Sequence, residues 1–194
     1  MKRHVGLLMG SFNPVHIGHL ALANYMREMY QMDEVWLVVS PLNPFKDEVE
    51  LIDSQHRLAM VNVALQNQPG YRACDIELSM PVPSYSINTL DKLTELHPDT
   101  QFSIIMGSDN IQRITRWKDY ERLLNNHRLY IYPRPGYSLE DVDIMHENII
   151  MTQAPMIDIS STFIREMLRS GHQMHFFLPH GVQQYITENQ LYQS

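Results

Sequence analysis

Apolar residues fall in short buried-looking runs that alternate with segments of helical spacing. Val5 to Met9 is short, apolar and bounded by Gly10, as a buried strand is. Ile17 to Tyr30 spaces Leu20, Ala23 and Met26 helically. Val35 to Val39 is a second buried strand, followed by a loop rich in Pro and charge from Pro41 to Asp53. Asp53 or Ser54 caps a predicted helix reaching about Gln66, with Leu58, Val61 and Leu65 on one face. Tyr71 to Leu78 reads as strand. Ser86 opens a helix carrying Ile87, Leu90, Leu93 and Leu96 on one stripe, and Pro98 stops it. Phe102 to Met106 is the next strand, closed by Gly107, with helical pieces through Leu124. Leu129 to Tyr132 and Ile149 to Met151 read as strands. Ser160 or Ser161 caps a helix to about Leu168, and Val182 to Glu188 forms the last helix.

Strands alternating with helices predict βαβ units. The expected fold is α/β, a doubly wound, Rossmann-like parallel sheet with helices on both faces and a small C-terminal helical segment from about residue 160. One domain over residues 1–194 is expected from the length. Ligands of such folds sit beyond the carboxyl ends of the strands, which directs attention to Gly10, Ser40, Gly107 and Pro133.

Charge narrows the choice of ligand. Fifteen Lys and Arg against 22 Asp and Glu give −7 and a pI near 5.7, which argues against a broad nucleic-acid surface but not against a locally positive cleft. With 44% apolar residues the chain can build a core. A single cysteine, Cys74, excludes an internal disulfide framework and fits a reducing, cytoplasmic setting. No run reaches the roughly 18 apolar residues of a membrane span. The thirteen methionines are scattered and suit core filling. No stretch demands a partner chain, so oligomeric state is left open.

Gly10-Ser11-Phe12-Asn13-Pro14-Val15-His16-Ile17-Gly18-His19 joins the first strand to the first helix. Gly10 suits a tight turn, and backbone N–H groups ahead of a helix N-terminus favour phosphate. His16 and His19 are three apart and share a helical face, with Gly18 leaving room for a ligand. Two adjacent imidazoles can donate to phosphate oxygens and stabilise charge on a phosphoryl group under attack. They can also begin a metal site, although this segment holds no third ligand. The plainest alternative is a helix start with two polar histidines. His172, His175 and His180 gather around Gly171 without a carboxylate and read as surface residues. Ile159-Ser160-Ser161-Thr162-Phe163-Ile164-Arg165 supplies a second hydroxyl-rich helix cap with an arginine one turn in, which can hold the same anion or simply cap a helix.

The first segment resembles the nucleotidyltransferases that carry His-x-Gly-His. It is neither a Gly-x-Gly-x-x-Gly fingerprint nor a P-loop. With Ile159 to Arg165 the chain resembles the nicotinate-nucleotide adenylyltransferases. Pro41 to Lys46, Pro83 to Leu90, Met106 to Asp109 with Trp117, Arg134-Pro135-Gly136 and the ending Leu178 to Tyr192 follow that family's order. Ser11, Asn13, Met9, Phe45, Ser86 and Asn88 depart from its usual residues.

The resemblance implies adenylyl transfer from ATP with Mg²⁺ to nicotinate mononucleotide, with positioning and electrostatics rather than a protein nucleophile. It implies catalytic roles for His16, His19 and Arg165 on the ATP phosphates. Gly10, Ser11, Phe12, Asn13, Gly18, Gly107 and Asp109 would line the ATP site, together with Ile159, Ser160, Ser161 and Thr162. Lys46, Ser84, Tyr85, Ser86, Trp117 and Arg134 would meet the nicotinate nucleotide. Trp117 would stack on the ring and the Tyr85–Ser86 loop would take its carboxylate. Local cations would offset the net charge of −7 against two anionic substrates. No metal ligand set is expected in the protein itself. Nicotinamide mononucleotide or phosphopantetheine as acceptor, a silent nucleotide-binding regulator, and a nucleic-acid module are the competing readings.

Overall fold

The computed structural model describes residues 2–41, 51–138, 140 and 142–193. The apolar runs become strands β1 (Arg3–Gly10), β2 (Glu34–Val39), β3 (Tyr71–Cys74), β4 (Thr100–Gly107), β5 (Leu129–Tyr132) and β6 (Ile149–Met151). They form one sheet in the order β3-β2-β1-β4-β5-β6, parallel at every pairing. This is the doubly wound order, and its switch point lies between β1 and β4. The helices are α1 (Ile17–Met29), α2 (Ser54–Ala64), α3 (Ser86–Leu96), α4 (Ser108–Ile111), α5 (Tyr120–Asn126), α6 (Ser161–Arg169) and α7 (Val182–Glu188).

Alternation along each strand feeds two cores. Val5, Leu7, Trp36, Phe102 and Ile104 pack with Ile87, Leu90 and Leu93 of α3 and Leu123 of α5. Leu8, Leu37, Val39 and Ile105 face the other way. There they meet Ala23 and Met26 of α1, Met60 and Val61 of α2, Ile164 of α6, and Val182 and Ile186 of α7. Parallel strands covered on both faces need apolar residues at successive positions, which is why they appear as unbroken runs.

Several predicted bounds move. The strand expected over Tyr71 to Leu78 ends at Cys74, and Ile76–Ser79 forms a 3₁₀ turn. Its neighbour β2 ends at Val39, with Val38 opposite Cys74, so little ladder remains for a longer β3. Tyr85 rather than Ser86 occupies the N-cap of α3, and Leu96 at its last position is 54% exposed. The first two helices stop at Met29 and Ala64, with Tyr30 and Leu65 as C-caps. The helical stretch after β4 divides into α4, a 3₁₀ turn at Ile114–Arg116, and α5. Pro41 is the last described residue of the Pro-rich loop, so Phe45 and Lys46 lie outside the described residues.

Candidate active site

The loop between β1 and α1 is held from beneath. Phe12 adopts φ +46°, unfavourable for an aromatic residue, and its ring is buried. A Cβ on Gly10 would approach that ring to 3.1 Å. Gly10 therefore makes room for Phe12, and the left-handed residue of the turn is Phe12 itself. Asn13 is buried, and its Oδ1 accepts the hydroxyl of Tyr192 at 2.8 Å. The Tyr192 hydroxyl is driven well above its ordinary range, chiefly by burial. Its O–H stays on as the donor.

The second motif docks onto this loop. Ser160 caps α6 by accepting the Phe163 N–H at 3.2 Å. The Ser161 hydroxyl donates to Pro14 O at 2.9 Å, and Arg165 Nη1 donates to Asn13 O at 3.0 Å. Arg165 Nη2 lies 3.4 Å from Thr162 Oγ1. The N-termini of α1 and α6 are thus joined through residues 13 and 14. Ile159 packs behind this junction against the core of Leu8, Met26 and Ile164. Arg165 is buried and binds the loop, a positioning contact that its sequence reading as a phosphate ligand did not include.

His16 is the N-cap of α1, only 5% exposed. Its ring stacks on His19 at 3.7 Å between centroids, and its backbone N–H donates to His19 Nδ1 at 3.2 Å. With Nδ1 accepting, the proton of a neutral His19 ring sits on Nε2. Phe12 meets the His19 ring edge-on at 5.0 Å. A Cβ on Gly18 would lie 3.0 Å from His16 Nδ1, so Gly18 clears space for the His16 ring. Burial, and then the Arg134 guanidinium, pull the His16 pKa down to about 4. At neutral pH His16 is therefore an uncharged imidazole with one N–H, not one of the local cations that the sequence suggests.

That shift fixes a pH dependence. The folded chain resists protonating His16, whereas the unfolded chain takes up that proton near the ordinary value of 6.5. This part of the stability is complete above pH 6.5 and is lost as pH falls toward 4, by about 3 kcal/mol in all. Urea unfolding of the wild type and of His16→Asn, which keeps a capping residue, should differ by that much less at pH 4 than at pH 7. A difference that does not change with pH would contradict it.

Asp109 and Arg134 stand beside the histidines. Asp109 lies in the first turn of α4, whose N-cap is Gly107, and its Oδ1 is 3.8 Å from Arg134 Nε. A Cβ on Gly107 would overlap Asp109 Oδ1 and Arg134 Cδ. The buried Ser108 hydroxyl accepts Arg134 N–H at 3.0 Å and donates to Tyr137 O at 2.8 Å, tying the 134–137 turn to the end of β4.

A cavity of about 330 Å³ opens at the switch point. Gly10, Ser40 and Gly107 line it, with Ser84, Tyr85, Ser86 and Trp117 opposite. Tyr85 at the N-cap of α3 offers no side-chain cap, which leaves the first N–H groups of that helix without one. Trp117, placed at the end of the 3₁₀ turn, is partly buried, and its indole Nε1 has no acceptor among the described residues. The Ser84 hydroxyl donates to Glu77 at 2.8 Å and is spent there. A larger recess of about 680 Å³ lies between α1, α2 and α7, lined by Asn24, Gln66, Tyr71, His180 and Tyr185. It holds none of the residues assigned to the ATP or acceptor sites.

Two contributors were not singled out from the sequence. Arg57 is 1% exposed and donates to Ser11 O and Ser40 O at 2.7 Å each, to Ile52 O at 3.1 Å and to Pro41 O at 3.2 Å. It binds the loops after β1 and β2 to each other. Glu77, 2% exposed, lines the cavity beside Trp117. Arg57 sits at an ordinary helical position and Glu77 within an alternating segment, so neither spacing marks them.

A parallel sheet in this order, with a His-x-x-His helix start and a second helix cap joined to it, defines a nucleotidyltransferase site. The chain belongs to the cytidylyltransferase-like family, which matches residues 7–167. A Flavobacterium johnsoniae protein named probable nicotinate-nucleotide adenylyltransferase is 42% identical over 189 residues, covering 97% of this chain and 98% of that one. A Bacteroides thetaiotaomicron protein of the same name is 45% identical over 187 residues, covering 96% and 92%. Plasmodium falciparum nicotinic acid mononucleotide adenylyltransferase, solved in complex with NaAD, shares the fold with a TM-score of 0.74 at 20% identity, covering 98% of this chain and 97% of its own.

Proposed function

We propose that this chain transfers the adenylyl group of ATP to nicotinate mononucleotide, giving nicotinate adenine dinucleotide and pyrophosphate on the route to NAD. The junction of α1 and α6 through Asn13 and Pro14, opening beside the Trp117 cavity, carries this reading. It sets a phosphate-binding floor next to a slot for a flat ring. The full-length relatives named above support the same activity.

In this reading ATP lies along the loop from Gly10 to Asn13, and its phosphates meet the N-termini of α1 and α6. His19 donates from Nε2 to the phosphoryl oxygens as negative charge grows on them. His16 holds the His19 ring through the stack and the N–H···Nδ1 bond. Arg165 and Ser161 fix the loop, and Asp109 takes ribose hydroxyls. The 5′-phosphate of the acceptor attacks the α-phosphorus in line, and pyrophosphate departs toward the α6 cap. Arg134 meets the acceptor phosphate, and Lys46 adds charge from the Pro-rich loop. The residues around the loop are N–H, imidazole and guanidinium donors rather than a cage of carboxylates. They suit an ATP that brings its own Mg²⁺, an ion that keeps waters and few protein ligands. When bound, that ion neutralises charge on the departing pyrophosphate.

Trp117 stacks on the pyridine ring, and the uncapped N–H groups at Ser86 and Ile87 receive its carboxylate. The whole chain acts as one nucleotidyltransferase domain, since Val182, Ile186 and Tyr192 share a core with Leu8 and Val39 of the first strands. Among the described residues no helix is long and apolar enough to cross a membrane. The buried Cys74, its thiol pushed up by burial, suits a reducing cytoplasm.

Steady-state kinetics of Trp117→Ala test the acceptor slot. KM for nicotinate mononucleotide should rise by roughly tenfold, the scale of one lost ring stack, while KM for ATP stays within about twofold. Equal rises for both substrates would remove Trp117 from the acceptor site.

A further inference from the structure

Glu77 poses an energetic question that its neighbours do not answer. It is 2% exposed, and its two oxygens accept hydrogen bonds from Ser84 and Thr89 at 2.8 Å each. Each oxygen thus has one hydroxyl partner. Among the described residues it takes part in no ion pair within 4.0 Å. A buried carboxylate held only by two neutral hydroxyls is costly, because hydroxyl donors replace only part of its hydration. A cationic ligand in the adjoining cavity offsets that cost.

The cavity indicates what that ligand is. Glu77 shares its lining with Trp117, whose aromatic face attracts cations as well as flat rings. The cations of the same cavity, Arg116 and Lys118, are exposed at its rim. Lys118 Nζ sits 5.2 Å from the Tyr85 ring and 3.4 Å from Asn88 Oδ1, so it is engaged away from Glu77. Among the described residues, the inner wall thus carries an acidic group with no ion pair beside an indole, and the positive charge lies outside. A flat ring with a positive charge within it and a negative substituent pointing to the rim matches both ends. An N-glycosylated pyridine is cationic at its ring nitrogen, and the nicotinate form adds the carboxylate.

We propose that Glu77 is a specificity-determining residue that selects the positively charged pyridinium ring of the acceptor. This rests on the acceptor reading given above. The carboxylate offsets the ring charge across the cavity, and the hydroxyls of Ser84 and Thr89 keep it oriented. Bound acceptor in turn compensates a carboxylate that no cation among the described residues pairs.

The test compares ring charge at nearly constant shape. Nicotinate mononucleotide and its ring-reduced dihydro form, which is neutral at the ring nitrogen, are titrated into the full chain and into Glu77→Gln by calorimetry. The full chain should bind the oxidised ring at least tenfold more tightly, about 1.4 kcal/mol. Glu77→Gln should lower that ratio by at least about threefold, with the Trp117 face keeping the remainder, and leave the affinity for the reduced ring within about twofold. Equal weakening of both ligands, or an unchanged ratio, would reduce Glu77 to a structural support and overturn the proposal. The unmodified chain decides even if Glu77→Gln does not fold, since equal binding of the two rings by the parent also overturns it. Failure of the parent to bind either mononucleotide would instead overturn the acceptor reading on which the proposal rests.

Discussion

Replacing His19 by alanine should lower kcat by roughly 10²–10³ with the fold intact, the usual cost of removing one preorganised donor from a developing oxyanion. His19 lies in the first turn of α1, stacked on His16 at 3.7 Å, with Nδ1 occupied by the His16 N–H at 3.2 Å. Its ring is held in one orientation by the His16 backbone N–H and the stacked His16 ring. Alanine keeps the helix, because the substitution removes no buried apolar anchor of either core. The loss should therefore appear in kcat and kcat/KM together, since the contact strengthens only as phosphoryl charge develops. Circular dichroism and ATP binding should stay close to wild type. Activity within about tenfold of wild type, less than the loss of one oxyanion donor, would take His19 out of the reaction.

Arg57→Met should produce the largest loss of stability. The guanidinium satisfies carbonyls of Ser11, Ser40, Pro41 and Ile52 from a fully buried position. Methionine fills similar space but donates nothing. Each buried carbonyl left without a donor costs about 1–3 kcal/mol, and local relaxation holds the total to about 3–5 kcal/mol. For a chain of this size that corresponds to a fall in Tm of about 10 °C. Two of the four carbonyls belong to the segments that line the switch point, so KM for ATP should rise alongside. Calorimetric melting settles the first part. A fall of less than about 2 °C, under 1 kcal/mol on the same scale, would show that water or another donor replaces the guanidinium.

The legibility of this molecule follows from where its information is stored. Parallel strands buried on both faces must be apolar at successive positions, so Val35 to Val39 and Phe102 to Met106 declare themselves. The site declares itself where side-chain chemistry and backbone geometry coincide locally, as in Gly10 to His19 and Ser160 to Arg165. Contacts between distant segments leave no local trace. Arg57 has the spacing of a solvated helix position, and its partners are backbone carbonyls at residues 11, 40, 41 and 52. Glu77 follows Tyr-Arg-Ala-Cys-Asp-Ile, whose alternation predicts a longer strand. Only the 3₁₀ turn at Ile76–Ser79 swings its carboxylate into the cavity. The roles of Gly10 and Gly18 were likewise hidden, since each makes room for a neighbouring ring rather than for a turn or a ligand alone. The charge of His16 could not be read from its identity either, because burial sets it.

Adenylyl transfer to a nicotinate nucleotide is the activity assigned to this chain. It is tested most directly by measuring pyrophosphate release from ATP and Mg²⁺ with nicotinate mononucleotide, nicotinamide mononucleotide and phosphopantetheine offered in turn. The predicted result is release with nicotinate mononucleotide, with nicotinate adenine dinucleotide as co-product and kcat/KM at least about tenfold above the other acceptors, a difference of about 1.4 kcal/mol. Release with phosphopantetheine in preference to the pyridine nucleotides, or tight ATP binding with no release for any acceptor, would contradict it.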